Sequence, residues 1–406
     1  MPVERIQQEI TPLIRLAEFK GLRSDRPLSQ FEPGDLSVAD NVDIDNAGSL
    51  TLRPGYTPVS GVPTHSLWSD DVVCLAVMGG SLCRLDTSYA ATPKYTLQDP
   101  FSPISYAKVN DRVYFSNGVD SGIFADGRVR SWGITPPTPP EAARTVGDMP
   151  KGEYQVLCTF SRSDGQESGS SAAIYLSVPA GSGLDISLPS STDTDVVAVN
   201  IYVSTPGGET TYLAATVPNG TPRFTYTAST LELNLPLATA YLSPPPPGQL
   251  ITYFKGHMYV AVGEVIYPSE PYAYELFDLR KGMPLEARVT MMAPIEHKST
   301  NGMFVGTTIS CGVLPGRSPA EFEYIRKTDY GAIEGAVTYV DGSLYGDNKT
   351  GAEPIPMWLT SEGVCVGMPG MEVSNLTRTR CTIQASGRGS ALFVAEANKF
   401  IATSNF

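Results

Sequence analysis

Histidines, cysteines and paired carboxylates carry most catalysis and metal binding, and this 406-residue chain has few of the first two. Its three histidines, His65, His257 and His297, keep no fixed spacing, and none lies in an H-E-x-x-H pattern that would hold zinc. His257 stands in an alternating apolar segment beside the turn Lys255-Gly256, the setting of an ordinary satisfied or surface histidine. The best cation candidate is Asp43-Ile-Asp45-Asn-Ala-Gly48, which opens like a calcium loop. Ala47 then takes the fifth position and Pro54 the twelfth, where a bidentate glutamate is needed. The stretch reads better as a hairpin, with Val42–Asp45 and Ser49–Leu52 alternating around Asn46-Ala-Gly48.

Cys74, Cys83, Cys158, Cys311, Cys365 and Cys381 form no C-x-x-C pair and sit mostly in apolar segments. They read as small buried hydrophobes rather than as a disulfide or zinc scaffold. Phosphate-loop, dinucleotide and nucleophile-elbow signatures are missing from the sequence. Nothing singles out one glycosidase-type carboxylate pair, because such a pair is defined by its separation in space. Trp68, Trp132 and Trp358 could stack on sugars, but each lies in an apolar stretch and reads as core. The expectation is a protein that is not an enzyme, with no catalytic, cofactor-binding or metal-binding residue and no cofactor. Lys and Arg total 29 against 42 Asp and Glu, a net charge of −13, which argues against a groove built to grip phosphates. No apolar run reaches the ~18 residues of a membrane-spanning helix. Met1–Glu9 lacks the basic and apolar regions of a secretory signal, so synthesis in a reducing cytoplasm is expected.

The elements that must position these residues are strands. Nearly every patterned segment alternates with period two, is rich in Val, Ile, Tyr, Phe and Thr, and is closed by turn residues. The fold class expected is all-β, with helices confined to residues 3–18 and Glu141–Arg144. Two proline clusters, 136–140 and 244–247, serve as stiff spacers around residues 141–243. Six strands are expected between them: 154–162, 172–178, 184–188, 196–204, 211–217 and 224–227. With the Asp164-Gly165 turn they suggest an inserted fibronectin-III or immunoglobulin-like β-sandwich. The flanks, 1–135 and 248–406, share a recurring hairpin. It shows in Val73–Val77, Arg112–Ser116, Met258–Val262, Met303–Gly306, Val364–Gly367 and Ala391–Ala395. Cys74 to Tyr114 is 40 positions and Tyr259 to Phe304 is 45, the period of four-stranded propeller blades. The later steps, 61 and 28, are irregular.

The most specific stretch is N-terminal. It reads Phe19-Lys-Gly-Leu-Arg-Ser-Asp25, then Leu36-Ser-Val-Ala-Asp-Asn-Val-Asp-Ile-Asp45, then Gly48-Ser-Leu-Thr-Leu-Arg-Pro-Gly55. These residues resemble the start of tail nozzle or hub proteins of tailed phages, of the tail-tubular-protein-B and packaged-DNA-stabilising head-to-tail types. The resemblance implies a virion protein of the tail, made in the host cytoplasm, that forms a homo-oligomeric ring, commonly sixfold. Neighbouring tail or connector proteins would be its partners, and double-stranded DNA would pass through its channel without sequence-specific contact. An acidic wall would repel the phosphates and let the DNA slide. In those families the Arg-Pro-Gly hairpin is structural, so the resemblance transfers no catalytic residue. The alternative expectation is a receptor- or carbohydrate-binding propeller of the virion.

Overall fold

The computed structural model describes residues 18–45, 47–70, 72–227, 235–297, 301–344, 353–381, 383 and 385–405. Among them there is no α-helix, only strands and short 3-10 turns. The expected helix at 3–18 falls, but for Glu18, outside the described residues.

Outside the insert, the chain folds as successive four-stranded antiparallel meanders. Blade I comprises Thr64–Ser69, Cys74–Met78, Ser81–Leu85 and Ala91–Thr96. Blade II comprises Ser105–Val109, Arg112–Ser116, Ser121–Ala125 and Arg128–Arg130. Blade III is Leu250–Phe254, His257–Val262, Val265–Glu270 and Ala273–Phe277, with Met283–Pro284 added at its third strand. Blade IV is Val289–Glu296, Asn301–Thr307, Cys311–Pro315 and Ile325–Thr328. Blade V is Ala332–Asp341, Pro354–Thr360, Gly363–Met368 and Glu372–Asn375. A C-terminal hairpin, Ser386–Val394 and Lys399–Asn405, joins blade V through a parallel bridge from Glu334 to Arg388. The architecture is all-β and propeller-like.

The second strand of each blade explains the stacking. Its side chains alternate between two faces, and both faces are buried, so it reads as a continuous apolar run. In blade II, Val113 and Phe115 pack toward blade I with Leu75, Val77 and Leu82. Tyr114, between them, packs toward blade III with Met258, Val260 and Phe277. In blade III, Tyr259 and Ala261 turn to blade IV, where Met303 and Val305 meet them. Phe304 then faces blade V and Trp358. Blades II, III and IV are thus glued on both sides. The first strands of blades II to V also lie side by side. There the Ser105 hydroxyl donates to the Ile251 carbonyl (3.2 Å) and accepts from its N–H (3.0 Å).

The expected hairpin period holds for the second strands of blades I to IV. It misses in blade V, whose second strand is Pro354–Thr360; Val364–Gly367 lies in the third strand. Ala391–Ala395 begins in the appended C-terminal hairpin. A long connection after Asp341 displaces the second strand and produces the irregular steps.

The insert is a two-sheet sandwich. Gly152–Arg162 is flanked by Ile174–Val178 and Val196–Ser204, and the last pairs with Thr211–Pro218. The facing sheet orders Glu141–Met149, Ser182–Ser187 and Arg223–Tyr226. Glu141–Arg144, expected as a helix, is the start of a strand. Its Ala, Glu and Arg are good helix formers, but propensity amounts to less than about 1 kcal/mol per residue, and pairing with Leu184–Ser187 together with Ala142 on the sandwich core overrides it. The chain leaves and re-enters the propeller side by side: a Cβ on Gly133 would sit 2.8 Å from Pro244. Ile134, in the outgoing linker, is buried in the sandwich core.

Trp358 is fully buried between blades IV and V. Trp358→Ala is expected to cost about 3–5 kcal/mol of unfolding free energy. Denaturant titration measures it, and a loss under about 1 kcal/mol would mean that this face is not a packed core.

Candidate functional site

The residues with chemical potential are mostly engaged in structure. His65 donates through Nε2 to the Pro100 carbonyl (2.9 Å), with Nδ1 2.9 Å from the Ser66 hydroxyl. His257 donates to the Ser269 carbonyl (2.8 Å), and His297 lies 3.6 Å from Glu353. Trp132 and Trp358 are buried, and Trp68 stacks half-buried on Tyr106. Burial pushes the Cys158 and Cys311 thiols up to about 12, which makes them poor nucleophiles. An apolar hollow of about 440 Å³ lies where the C-terminal hairpin meets blade V, lined by Leu359, Val364, Ile383, Phe400 and Ala402. No titratable side chain lines it.

Two charged assemblies are built instead, both from residues far apart in the chain. The first is a clasp between the chain ends. The N-terminal stretch forms a short parallel pair, Gly21–Leu22 with Asp35–Leu36, and the hairpin Val42–Ile44 with Leu50–Leu52. The Asp35 side chain is fully enclosed. It accepts from the Glu32 N–H (3.0 Å), from Arg23 (3.1 Å) and from Arg380 (3.1 Å), so its carboxyl lies below the usual range. Ser24 N–H donates to the Arg380 carbonyl (2.8 Å). Asp43 accepts from Lys399 (2.6 Å) and from Arg53 (2.8 Å), which also lower its pKa. Asp45 caps its own loop through Ala47 N–H and Ser49 N–H. The two carboxylates of the calcium-like pattern therefore hold the chain itself: one ties the N-terminal hairpin to the C-terminal hairpin, the other closes a turn.

From the hairpin, the chain runs to blade I through residues 51–64, every one of them exposed. Leu52, Tyr56 and Val59 are 79%, 93% and 67% exposed. Arg53 N–H is held by the Asn41 carbonyl at one end, and Thr64 pairs with Met78 at the other. This strap is fixed at its ends and uncovered along its length.

The second assembly docks the sandwich on blade II. Arg112 bonds Asp164 (3.2 Å) and, across to blade III, Glu275 (3.4 Å). Arg130 bonds the same Asp164 (3.0 Å), and Arg128 bonds Asp195 (2.8 Å). Arg162, whose side chain is 1% exposed, reaches Asp193 (2.8 Å), the Ser131 hydroxyl (2.6 Å) and the Gly133 carbonyl (3.2 Å). Burial pulls Asp193 upward, but the hydrogen bonds from Arg162, the Asp195 N–H and the Ser131 hydroxyl together outweigh it and leave the carboxyl below its usual range. Sequence patterning misses all of these pairs, because the partners are separated by up to 163 positions at this junction and 356 at the clasp.

No family model matches the chain, and no curated protein matches it. Among solved structures, BBS1N in complex with ARL6DN is similar at 11% identity, over 80% of this chain and 96% of that one, with a TM-score of 0.22. The extracellular domain of BT4673 from B. thetaiotaomicron is similar at 12% identity, over 86% of this chain and 52% of that one, also at 0.22. Scores of that size carry no argument about what this chain does.

The clasp sets a pH dependence. Asp35 and Asp43 have folded pKa values below the ordinary 3.8, so their stabilisation is complete above that value and is lost as pH falls through the lowered values. Acidification from pH 6 to well below the ordinary 3.8 is expected to lower the amide-exchange protection factors of residues 18–53 and 386–405 before the blades open, and Asp43→Asn to lower them already at pH 6. Equal protection of both segments at the two pH values would contradict this. At the junction, Asp193→Ala leaves a buried guanidinium without its carboxylate. The expected cost is about 2–4 kcal/mol, below the full range for buried pairs because Asp193 is partly exposed. Thermal unfolding should show that loss, and Asp185→Ala, whose partner Arg223 is exposed, should show almost none.

Proposed function

We propose that the chain is a structural subunit of a phage tail, a ring-forming nozzle, hub or head-to-tail component around the DNA exit channel. The observation that carries the reading is the strap at 51–64. It follows directly from the stretch that resembles those proteins, and it presents Leu52, Tyr56, Val59 and Val62 to solvent while both ends are anchored. Apolar surface held out in this way fits a neighbour rather than a substrate. A heterologous contact of strap to neighbouring subunit closes into a ring when the rotation permits. Arg53 of the resembled Arg-Pro-Gly hairpin bonds Asp43 of the clasp, which suits an assembly role better than catalysis.

The charge suits the same reading. The net −13 would keep phosphates from binding the channel wall. Residues 141–243 carry ten acids and four bases, a net of −6, so nearly half the surplus belongs to the sandwich. The alternative, a receptor- or carbohydrate-binding virion module, calls for an exposed ligand surface rather than a ring.

Light scattering of the purified chain, with negative-stain imaging of the same fraction, is expected to give a closed ring with an axial hole. Replacing Tyr56, Val59 and Val62 with serine should shift the mass toward the monomer without lowering the thermal midpoint. A wild-type monomer at high concentration that remains monomeric with its tail neighbours would overturn the ring.

A further inference from the structure

We infer that Tyr272 on blade III is a sugar-stacking platform, and that this face of the protein binds a neutral pyranose of a surface glycan. The inference does not depend on the ring.

Tyr272 stands in the turn between Val265–Glu270 and Ala273–Phe277, after Pro271, with φ +58°. That conformation suits glycine, and a bulky side chain there is a strained exception. The backbone is held by its N–H donating to the Gly256 carbonyl (2.7 Å). The ring lies against Gly256: a Cβ there would sit 3.1 Å from two of its ring carbons. The ring thus touches the Gly256 turn, while the residue as a whole is 79% exposed. A tyrosine whose backbone is anchored and whose side chain is this exposed offers ring surface for stacking.

The surroundings are aromatic and polar. Tyr253 accepts through its hydroxyl from the Gly256 N–H (3.3 Å) and packs edge-on against Tyr274, with centroids 5.7 Å apart. Burial, and then the nearby Tyr253 and Tyr272, raise the Tyr274 hydroxyl to about 12, so the three phenols come close together. Phenol hydroxyls both donate and accept hydrogen bonds and can pair with sugar hydroxyls. Flanking charges are paired: Lys255 with Glu296 (2.6 Å), Glu270 with Lys281 (2.6 Å) and Arg112 with Glu275 and Asp164. With these cations neutralised and a net charge of −13, a nucleic-acid strand finds aromatic surface but little to hold its phosphates. An uncharged sugar, which needs an aromatic face and hydroxyl partners, fits better.

The test is an array of neutral hexose and N-acetylhexosamine oligosaccharides, with a dT oligonucleotide as the competing probe. Wild-type chain, Tyr272→Gly, and the controls Tyr89→Ala and Tyr241→Ala are compared. Tyr89 and Tyr241 are also exposed at positive φ, but the Tyr241 ring is covered by Arg280 at 5.0 Å. The wild type and both controls are expected to bind at least one neutral glycan. Tyr272→Gly should bind it roughly tenfold more weakly or worse, while its thermal midpoint holds or rises because the strain is relieved. That combination separates a ligand role from a structural one. No neutral glycan bound, binding unchanged in Tyr272→Gly, or oligonucleotide bound instead of glycan each overturns the proposal.

Discussion

Two-faced burial of the central strands is the constraint on which the rest of the structure depends. A strand such as Arg112–Ser116 has Val113 and Phe115 on one face and Tyr114 on the other, all three buried. No single blade can cover both faces, so each must have a neighbour on each side, and the blades stack in chain order because successive meanders are adjacent. The stack must also end. Beyond blade V, Leu359 and Ala336 are covered by residues 383 and 385 and by the C-terminal hairpin. The N-terminal stretch then grips the segment before that hairpin through Asp35 and Arg380, and the hairpin itself through Asp43 and Lys399. The clasp thus follows from the stacking rule, since the last blade needs a cap and the cap needs an anchor.

Charge is placed where apolar packing stops. Between blades the buried contacts are Leu, Val, Met and aromatic side chains, with ion pairs such as Arg112–Glu275 and Lys327–Glu372 bridging beside them, while the joints between modules are made by Arg and Asp. Such pairs add little stability when exposed, but they fix orientation because a guanidinium fork accepts few geometries. Arg162 is the enclosed case. It has carboxylate, hydroxyl and carbonyl partners, and it sits where linker, sandwich and blade II converge. Around it Gly133 permits the close approach of Pro244, so the two linkers form a packed joint rather than loose spacers.

The features tied to the two functional readings lie outside this packing. The strap at 51–64 and the Tyr272 turn are anchored by backbone bonds at their bases, and their apolar surface points to water. A globular chain ordinarily covers such surface or replaces it with polar residues, and a tyrosine at φ +58° adds strain to exposure. Both sites set local stability against presentation, which is the usual mark of a surface meant for something else.

The sequence by itself determined the strands. Val196–Ser204 stands where its alternation places it, as do the hairpin at Asp43 and the second strands of blades I to IV, because burial on a pleated sheet demands that periodicity. It did not determine the first sandwich strand, where the helix preference of Glu141–Arg144 yields to a partner 40 to 46 positions away. Nor did it determine blade V, where a long connection breaks the spacing. The clasp, the Arg162 joint and the Tyr272 platform were decided by tertiary structure alone. An ion pair between Asp43 and Lys399 depends on which segments the blade stacking brings together, and a ring against Gly256 on which turns the blade III meander sets side by side, and no local pattern records either.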